Sequence, residues 1–589
     1  MAAFPKGTSN GANGSGDGVV NEEWMSPVFH PDDERSEFRV VLIHPKKALN
    51  LCGAGRLACV LGTVEINGYK FVGRDFDANQ MVPFCVPYRT IGSTQCVAEK
   101  ISFEEVNKEM LTKRFGSLKV NVSAILTYIV SQHYWGILVI GPPPPMYSPI
   151  ETVLGSEFLR QPPMTTVKSY RSITPTSFQL QFGDALFTLE RKVVVQRVDQ
   201  AIENEYEKRK RTVIMAVGRK DTGKSTFNRY MVNRMLNHIN DRSAGKKVNV
   251  YFIDLDVGQS EFNPPGLVGV HKINGPVLST ALFSQVPTLT SAFFYGSNTP
   301  EVDTKHYKHI VQVAMEEFYR VSQADDHSIA IVNNIGWVDY TGEEIMQHVI
   351  STVKPHHLVS FQDRRATFNV KAIDPSLQIR KHLVAGYVHP ANPNRFSPST
   401  LRDYSLAAYL THSFQRNQGV IVDSFNRCTV RVVPFNDIQL FFHPESLVDD
   451  RFIFNTLNTA TVALCSVQVP ANGGFNTDLI RGRGDLPKKL VPVPNAQGQN
   501  PALRCYGYAF IRAISLEERC FYVITPVAAD VLKNVTVMAL GHEIGTPKYI
   551  FQAQSTAGGP YLMSTGGNVD REFNQLSMPI KIVSCSKRR

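Results

Sequence analysis

The sequence predicts an α/β protein in which a central parallel sheet carries helices on both faces, flanked by N- and C-terminal β-rich domains. Strand-like apolar runs alternate with helix-like periodicity from about 213 to 361, which is typical of parallel βαβ units. Short β-type runs punctuated by Gly and Pro fill the stretch from about 38 to 187. Similar short runs return after about 419.

Changes in pattern divide the chain into four regions. Residues 1–30 are polar and Gly-rich, so we expect a disordered tail that is not a signal peptide. We place an N-terminal β-rich domain at 31–192, the α/β domain at 193–418 and a C-terminal β-rich domain with a basic tail at 419–589. Ala124–Ile140 is interpreted as two buried strands, and Arg481–Pro494 as an exposed loop.

The composition fits a globular chain of several domains. Its 589 residues are 43% hydrophobic and 19% charged, which excludes a wholly disordered protein. The net charge of +10 favours polyanionic partners such as nucleic acid, although a basic surface also serves solubility alone. The nine Cys include no C-x-x-C pair, so we expect neither a zinc site nor a disulfide framework, and a reducing compartment fits. We predict no membrane span and no membrane partner.

The strongest local motif is a phosphate-binding loop. The eight residues from Gly218 match G-x-x-x-x-G-K-[ST] at every fixed position, after an apolar strand and before a helix. In such a loop, backbone N–H groups surround a phosphate, the lysine reaches the β- and γ-phosphates, and the hydroxyl can ligate Mg²⁺. The α/β domain is therefore of the P-loop NTPase type. The expected nucleotide-binding residues are Gly218, Arg219, Lys220, Asp221, Thr222, Gly223, Lys224, Ser225 and Thr226.

A second strand-like run ends in two acids, Asp254 and Asp256. Strand alternation puts both on one side, at the carboxyl edge where open α/β sheets bind ligands. Both could therefore face Mg²⁺ and an acceptor hydroxyl, and Ser225 and Asp254 are the predicted metal ligands. Alternatively, the two acids only solvate a strand end. No N-K-x-D follows the phosphate loop, which weakens a GTPase interpretation.

A basic run, Lys208-Arg209-Lys210-Arg211, comes directly before the phosphate-loop strand. Three interpretations stay open for it: a nuclear-import signal, part of an RNA channel, or a solvated helix end.

Six segments carry further motifs: Gly218–Tyr230, Asp254–Gly266, Phe294–Pro300, Ile331–Val338, Gly507–Arg512 and Tyr522–Val527. Among them, the phosphate loop is combined with D-x-G-Q-x-E-F-x-P-P-G and N-x-x-G-W. This specific combination resembles the nucleolar polynucleotide 5′-hydroxyl kinases, which are relatives of the RNA kinase in the pre-mRNA 3′-end cleavage factor. The resemblance covers about 40–589 and is sharpest from 212 to 410.

The resemblance implies an enzyme that transfers the γ-phosphate of ATP, with Mg²⁺, to the 5′-hydroxyl of RNA. It implies a place in the nucleus and nucleolus, where an endonuclease partner cuts the second internal transcribed spacer of precursor ribosomal RNA. The cut would leave the 5′-hydroxyl end that the kinase phosphorylates.

The same resemblance assigns roles to single residues. Lys224 would hold the phosphates, and Asp256 would orient or deprotonate the 5′-hydroxyl. Arg402 would belong to a lid over the transferring phosphate, with Arg395 as second candidate. RNA contacts are implied for Gln259, Asn334 and Trp337, and the indole of Trp337 would stack on the terminal nucleotide. Asn334 stands where the family usually has Thr.

Three alternatives to this kinase remain open. The chain could be a catalytically weak scaffold subunit of a pre-rRNA nuclease complex, which Asn334 favours and intact Lys224, Ser225 and Asp256 disfavour. It could be an ATPase that remodels RNA–protein complexes. It could also be the related RNA kinase of mRNA 3′-end or tRNA processing.

Overall fold

The computed structural model describes most of the chain between residues 28 and 550. The described residues are 28–31, 36–44, 49–86, 94–99, 106–144, 150, 169–171, 178–182, 197–242, 248–338, 341–363, 368–386, 396–414, 416–417, 420–421, 425, 428–467, 474–478, 487–547 and 550. Most of the predicted tail at 1–30, the alternative lid residue Arg395 and the basic C-terminal tail lie outside these residues.

The first ten strands form one antiparallel sheet. They are β1 Val28–Phe29, β2 Arg39–Ile43, β3 Leu49–Leu61, β4 Thr63–Ile66, β5 Tyr69–Val72, β6 Val82–Val86, β7 Thr94–Ala98, β8 Gly136–Gly141, β9 Ser169–Arg171 and β10 Phe178–Phe182. The main order is β1-β2-β8-β3-β7-β4-β5, and β6 and β10 also pair with β3. The long strand β3 is thus the centre of this sheet. Two helices, α1 Lys108–Phe115 and α2 Val122–Gln132, pack on one of its faces.

Helix α2 corrects the prediction of two buried strands in Ala124–Ile140, since only the second part, β8, is a strand. The Asn121 side chain accepts a hydrogen bond from the Ala124 N–H and caps the helix start. His133 ends the helix in the left-handed conformation. Val122, Ile125 and Ile129 form the buried face at helical spacing. The prediction was wrong because a short apolar run fits a strand or a helix, and the cap residues decide between them.

The remaining strands, apart from one two-stranded pair, form a single fifteen-stranded sheet. Its strands are β11 Arg211–Gly218, β12 Val248–Asp254, β13 Leu267–Ile273, β14 Ala292–Phe294, β15 His327–Asn333, β16 His357–Gln362, β17 Arg380–Ala385, β20 Arg431–Pro434, β21 Gln439–Phe442, β22 Thr461–Val467, β23 Gly474–Asp478, β24 Lys488–Val493, β25 Leu503–Ser515, β26 Cys520–Ile524 and β27 Val537–Leu540. The separate pair is β18 Arg416–Asn417 with β19 Val420–Ile421.

Five neighbouring strands of the large sheet, β17-β16-β11-β15-β12, run parallel. β13 and β14 follow antiparallel, and β14 pairs with β25, so the C-terminal strands extend the same sheet. β24 pairs with β23 and β21, so the prediction of an exposed loop over Arg481–Pro494 was wrong for Lys488–Val493. The predicted domain boundaries at 30/31, 192/193 and 418/419 stay predictions.

Helices cover both faces of the parallel strands. On β11, Val213 and Met215 face one core with helices α4 Thr304–Val321 and α5 Thr341–Val353. Ile214 and Ala216 face the opposite core, with helix α3 Lys224–Arg242. The other helices are α6 Pro398–Thr411, α7 Ile453–Leu457 and α8 Ala529–Leu532, and residues 197–203 are also helical. Within the described ranges, each helix is too short or too polar to cross a bilayer.

Helix α6 contacts both sheets. Tyr404 packs with Ala54 of β3 and Cys85 of β6, whereas Tyr409 packs with the core of the C-terminal strands. The Tyr409 hydroxyl donates to the Pro287 carbonyl (2.8 Å) and accepts from the Tyr508 N–H of β25 (3.0 Å). Both groups are shielded from water, so this hydroxyl fixes α6 against the large sheet.

We expect Tyr409→Phe to lower the free energy of unfolding by about 1–3 kcal/mol, because it leaves the Pro287 carbonyl and the Tyr508 N–H without a partner. Urea unfolding followed by far-UV circular dichroism measures the difference. Tyr319→Phe on the exposed side of α4 is the matched control and is expected to change stability by less than about 0.5 kcal/mol. Equal stability of the two variants would contradict the role of the hydroxyl.

Candidate active site

The phosphate-binding loop joins β11 to α3 with a backbone that needs glycine at its start. Gly218 has a φ of 144°, and a Cβ there would lie 2.8 Å from the Phe361 carbonyl oxygen of the neighbouring strand β16. Gly223 also has a positive φ, 102°. The Thr222 hydroxyl donates to the Arg219 carbonyl (2.7 Å) and closes the loop on itself. The N-terminal N–H groups of α3 therefore open towards the loop, as an anion site requires.

Lys224 begins α3 and is almost fully buried. Its Nζ donates to the Arg219 carbonyl of the same loop (2.8 Å), and the backbone of Gly336 lies against it. Burial lowers the pKa of Lys224 to about 8, although the carboxylates of Asp256 and Asp221 act against the shift. The Lys224 amine is therefore only partly protonated at a pH near 8. The negative charge of a bound phosphate would raise its pKa.

Asp256 lies just beyond β12, with one carboxylate oxygen fixed by the backbone. Its Oδ1 accepts hydrogen bonds from the N–H groups of Gly258 (3.0 Å) and Gln259 (2.9 Å). Burial raises the pKa of Asp256, and these hydrogen bonds and the charge of Lys224 act against the shift. The result is a rigidly oriented carboxylate beside the phosphate loop.

Asp254, the last residue of β12, is fully buried. Its Oδ2 accepts from the N–H groups of Glu261 (2.6 Å) and Phe262 (3.4 Å), and its Oδ1 accepts from the Asn333 amide (2.9 Å). Burial raises the pKa of Asp254 to about 7, and these donors act against the shift. Both oxygens thus bind segments of the protein itself.

A cavity of about 580 Å³ collects most of the predicted site residues. Gly218 and Asp254 do not belong to its lining. The predicted residues that line it are Arg219, Lys220, Asp221, Thr222, Gly223, Lys224, Ser225, Thr226, Asp256, Gln259, Asn334, Trp337 and Arg402.

One wall of the cavity is the segment after β15. The Gly336 carbonyl accepts from the Lys220 N–H (3.0 Å), which ties this wall to the phosphate loop. The half-buried Trp337 lies against Gly342 at the start of α5, where an added Cβ would be 2.5 Å from the ring. The Asn334 amide donates to the Met346 sulfur and accepts from the Ile335 N–H, so its polar atoms bond inside this wall. Gln259, on the facing turn, is exposed.

Another wall of the cavity is the first part of α6, which begins at the Ser397 cap. Arg402 lines the cavity together with Pro398, Leu401 and Ser405, on one face of the helix. Burial lowers the pKa of Arg402, and the carboxylates of Asp403, Glu543 and Asp256 act against the shift. Even with this lowered pKa, the guanidinium stays protonated, so Arg402 supplies a permanent positive charge at the cavity.

Residues 218–412 match the family model described as "mRNA cleavage and polyadenylation factor CLP1 P-loop". The polynucleotide 5′-hydroxyl-kinase nol-9 of Caenorhabditis elegans is 26% identical over 576 residues, which cover 94% of this chain and 98% of that protein. The human polynucleotide 5′-hydroxyl-kinase NOL9 is 25% identical over 388 residues, covering 58% of this chain and 50% of its own length. Over most of its length, the chain is therefore similar to proteins named polynucleotide 5′-hydroxyl kinases.

Among solved structures, one chain of a Clp1p–Pcf11p complex aligns with 86% of this chain; the alignment covers 97% of that other chain, at a TM-score of 0.48 and 13% identity.

The cavity offers oxygen ligands that fit Mg²⁺. The Ser225 hydroxyl and the Asp256 carboxylate line it, and both are hard oxygen ligands. Mg²⁺ at phosphate sites usually takes one or two protein oxygens and completes its shell with water and phosphate. Asp254 does not line the cavity, and its carboxylate already accepts three hydrogen bonds, which leaves it about one acceptor position for a metal. Its role as a metal ligand stays a prediction.

The structure also brings in a pair that the sequence analysis did not single out. Arg229 and Glu261 form a two-pronged ion pair (2.8 and 2.9 Å), both largely buried, and both line the cavity. Arg229 lies one helical turn after Ser225, and Glu261 belongs to the E-F-x-P-P-G element. The i,i+4 spacing from Ser225 could have placed Arg229 on the side of α3 that faces the site. Its pairing with Glu261 could not be predicted, because it depends on tertiary packing.

We expect nucleotide binding at pH 8.5 to take up protons, because phosphate charge raises the lowered pKa of Lys224, which is about 8 in the free protein. Calorimetry with ATP in two buffers of different ionisation enthalpy measures the uptake, without Mg²⁺. In Lys224→Arg the guanidinium is already protonated, so we expect the uptake to disappear while binding persists. Equal uptake by the variant would place the titrating group elsewhere.

Proposed function

We propose that this protein is an ATP-dependent polynucleotide 5′-hydroxyl kinase that acts on RNA. One arrangement carries the proposal: a single cavity joins a phosphate-binding loop, a backbone-fixed carboxylate at Asp256 and an aromatic wall at Trp337. A phosphate donor, a base and a platform for a nucleotide are the three parts that such a transfer needs. The names of the related proteins state the same activity.

In the proposed reaction, the 5′-oxygen of RNA bonds to the γ-phosphorus while the bond to the β–γ bridging oxygen breaks, and ADP leaves. The loop N–H groups and Lys224 hold the phosphates in line. Asp256 Oδ1 is held by the backbone, so its Oδ2 is the atom that orients the 5′-hydroxyl and takes its proton. Arg402 stabilises charge on the equatorial oxygens. The Ser225 hydroxyl would hold Mg²⁺, which would neutralise phosphate charge.

RNA would enter between the wall at 334–337 and the turn at 256–261. Trp337 presents an aromatic ring at the cavity, and base stacking on such a ring tolerates any sequence. Gln259 is exposed at the same cavity and can bond to the RNA backbone. Asn334 bonds Met346 and Ile335, so in this proposal it shapes the wall through its backbone.

The proposed substrate is precursor ribosomal RNA with a 5′-hydroxyl end left by an endonuclease partner, in the nucleolus. The motif resemblance to the nucleolar branch supports this, above all the E-F-x-P-P-G element from Glu261 to Gly266.

We expect purified protein to transfer label from γ-labelled ATP to the 5′ end of a 5′-hydroxyl RNA, in a reaction that needs Mg²⁺. Lys224→Ala and Asp256→Asn should each lower kcat/KM by about 10²–10⁴-fold, since they remove a phosphate contact and the base. Lys305→Ala and Asp437→Asn make the same changes at exposed positions and should leave the rate unchanged.

If the wild-type protein transfers no label, the assay is repeated with the endonuclease bound. Absence of transfer there as well would contradict the kinase proposal and favour the scaffold function. ATP hydrolysis stimulated by RNA without label transfer would instead indicate the remodelling ATPase.

We expect Trp337→Ala to raise KM for RNA about tenfold, because it removes a stack of about 1–3 kcal/mol, while KM for ATP stays within about twofold. Trp337→Phe keeps an aromatic face and should recover most of the loss. Thermal unfolding of both variants controls for the packing of the ring on Gly342. An equal rise of both KM values would contradict the stacking role.

A further inference from the structure

The basic run Lys208–Arg211 lies at the amino end of β11, at the opposite edge of the sheet from the phosphate loop. We propose that this edge binds the phosphodiester backbone of the RNA substrate, downstream of the 5′ end held in the cavity. The proposal rests on the proposed kinase function, because it concerns a second contact for the same RNA.

The run is part of the folded structure. Lys208 ends a short helical turn, Tyr206–Lys208, and Arg211 begins β11. The Lys210 carbonyl accepts from the Ser328 N–H (2.9 Å), and the Arg209 carbonyl lies 3.0 Å from Nδ1 of His327. The positions of the side chains are therefore set by the start of the parallel sheet.

Neighbouring strands add further cations at the same edge. The His356 N–H donates to the Val213 carbonyl of β11 (2.9 Å), and Lys354 stands two residues earlier. The Arg380 N–H in turn donates to the His356 carbonyl (3.0 Å) and begins β17. We define the basic edge as Lys208, Arg209, Lys210, Lys354, Arg380 and Lys381, all of which are exposed.

Acidic side chains offset little of this charge. Glu205 pairs with Arg380, and Asp325 is buried and accepts from Tyr251 and Asn249. Asp326 is the exposed acid of the adjacent loop. Among the described residues, no carboxylate lies within ion-pair distance of Lys208, Arg209 or Lys210; Lys210 Nζ instead donates to the Gln323 carbonyl. A cluster with this excess of positive charge is typical of a protein surface that binds a polyanion.

An aromatic ring adjoins the cations. The Arg211 guanidinium lies 5.5 Å from the ring centroid of Tyr319, which is 43% exposed. Cations that track the backbone, next to an exposed ring that can stack on a base, are the combination found at single-stranded nucleic-acid sites. This pairing favours RNA over an acidic protein as the occupant.

The distance between the two sites predicts a dependence on RNA length. β11 runs over its eight residues from the basic edge to Gly218, so the sites are about 23 Å apart at ~3.3 Å per residue. A stacked strand advances about 3.4 Å per phosphate, so at least about seven nucleotides are needed to reach from one site to the other.

The test compares 5′-hydroxyl RNAs of about four and about 20 nucleotides, chosen to fall below and above this span. The triple variant Lys208→Gln, Arg209→Gln, Lys210→Gln should raise Kd and KM for the long RNA about tenfold and leave the short RNA unchanged. The slope of log Kd against log salt should fall by about 2, since each lost contact contributes ~0.7. Fluorescence anisotropy gives Kd, and label transfer gives KM.

The matched control is Lys108→Gln, Lys113→Gln, Lys119→Gln, which removes the same charge from exposed positions beside the first sheet. Equal behaviour of the two triple variants would overturn the proposal. Polyglutamate is the probe for an acidic protein partner. If the triple variant of Lys208, Arg209 and Lys210 loses binding to polyglutamate but keeps binding to RNA, the proposal is overturned in favour of an acidic protein. If the wild-type protein phosphorylates neither RNA, even with the endonuclease bound, the kinase function alone is contradicted, since anisotropy still reports on the basic edge.

Discussion

Three segments of the active site are tied to one buried carboxylate, that of Asp254. One of its oxygens accepts the Glu261 N–H and fixes the acidic turn after β12, and the other accepts the Asn333 amide at the end of β15. Asn333 also accepts from Asn228 of α3, the helix opened by the phosphate loop. A buried carboxylate is costly unless donors surround it, so turn, strand and helix must keep the arrangement that supplies them.

Helix α6 sets the other side of the cavity through three separate contacts. Its Tyr404 packs on the first sheet, its Tyr409 hydroxyl bonds the large sheet, and Arg402 in its first half lines the cavity. The position of this cation relative to Asp256 therefore depends on how both sheets hold the helix. Arginine carries a fixed charge in a planar fork, so a shift of the helix would change where this charge lies in the cavity.

Local chemistry could be predicted from the sequence, and long-range pairing could not. The phosphate loop was placed correctly between β11 and α3, since its glycines and Lys224 act through backbone geometry alone. Strand alternation placed Asp254 and Asp256 on the same side, but β12 ends at Asp254 and the alternation ends with it. Asp254 is therefore buried, whereas Asp256 lines the cavity. Helix α2 was mistaken for a strand because the Asn121 cap was not weighed. Strand β24 and the pairing of Arg229 with Glu261 depend on residues distant in sequence.

In the proposed kinase, the two ends of β11 would have different tasks, one in the reaction and one in binding the substrate. At its carboxyl end, the lowered pKa of Lys224 reflects a cation held away from water, where it interacts strongly with a phosphate. At its amino end, Arg209 and Lys210 are exposed, so their attraction for phosphate is weaker and screened by salt. A buried cation can hold a reacting phosphate in one geometry. Exposed cations bind an RNA backbone weakly enough for it to slide and dissociate. The proposed kinase would therefore hold the reacting phosphates with the buried cation and the rest of the RNA with the exposed ones.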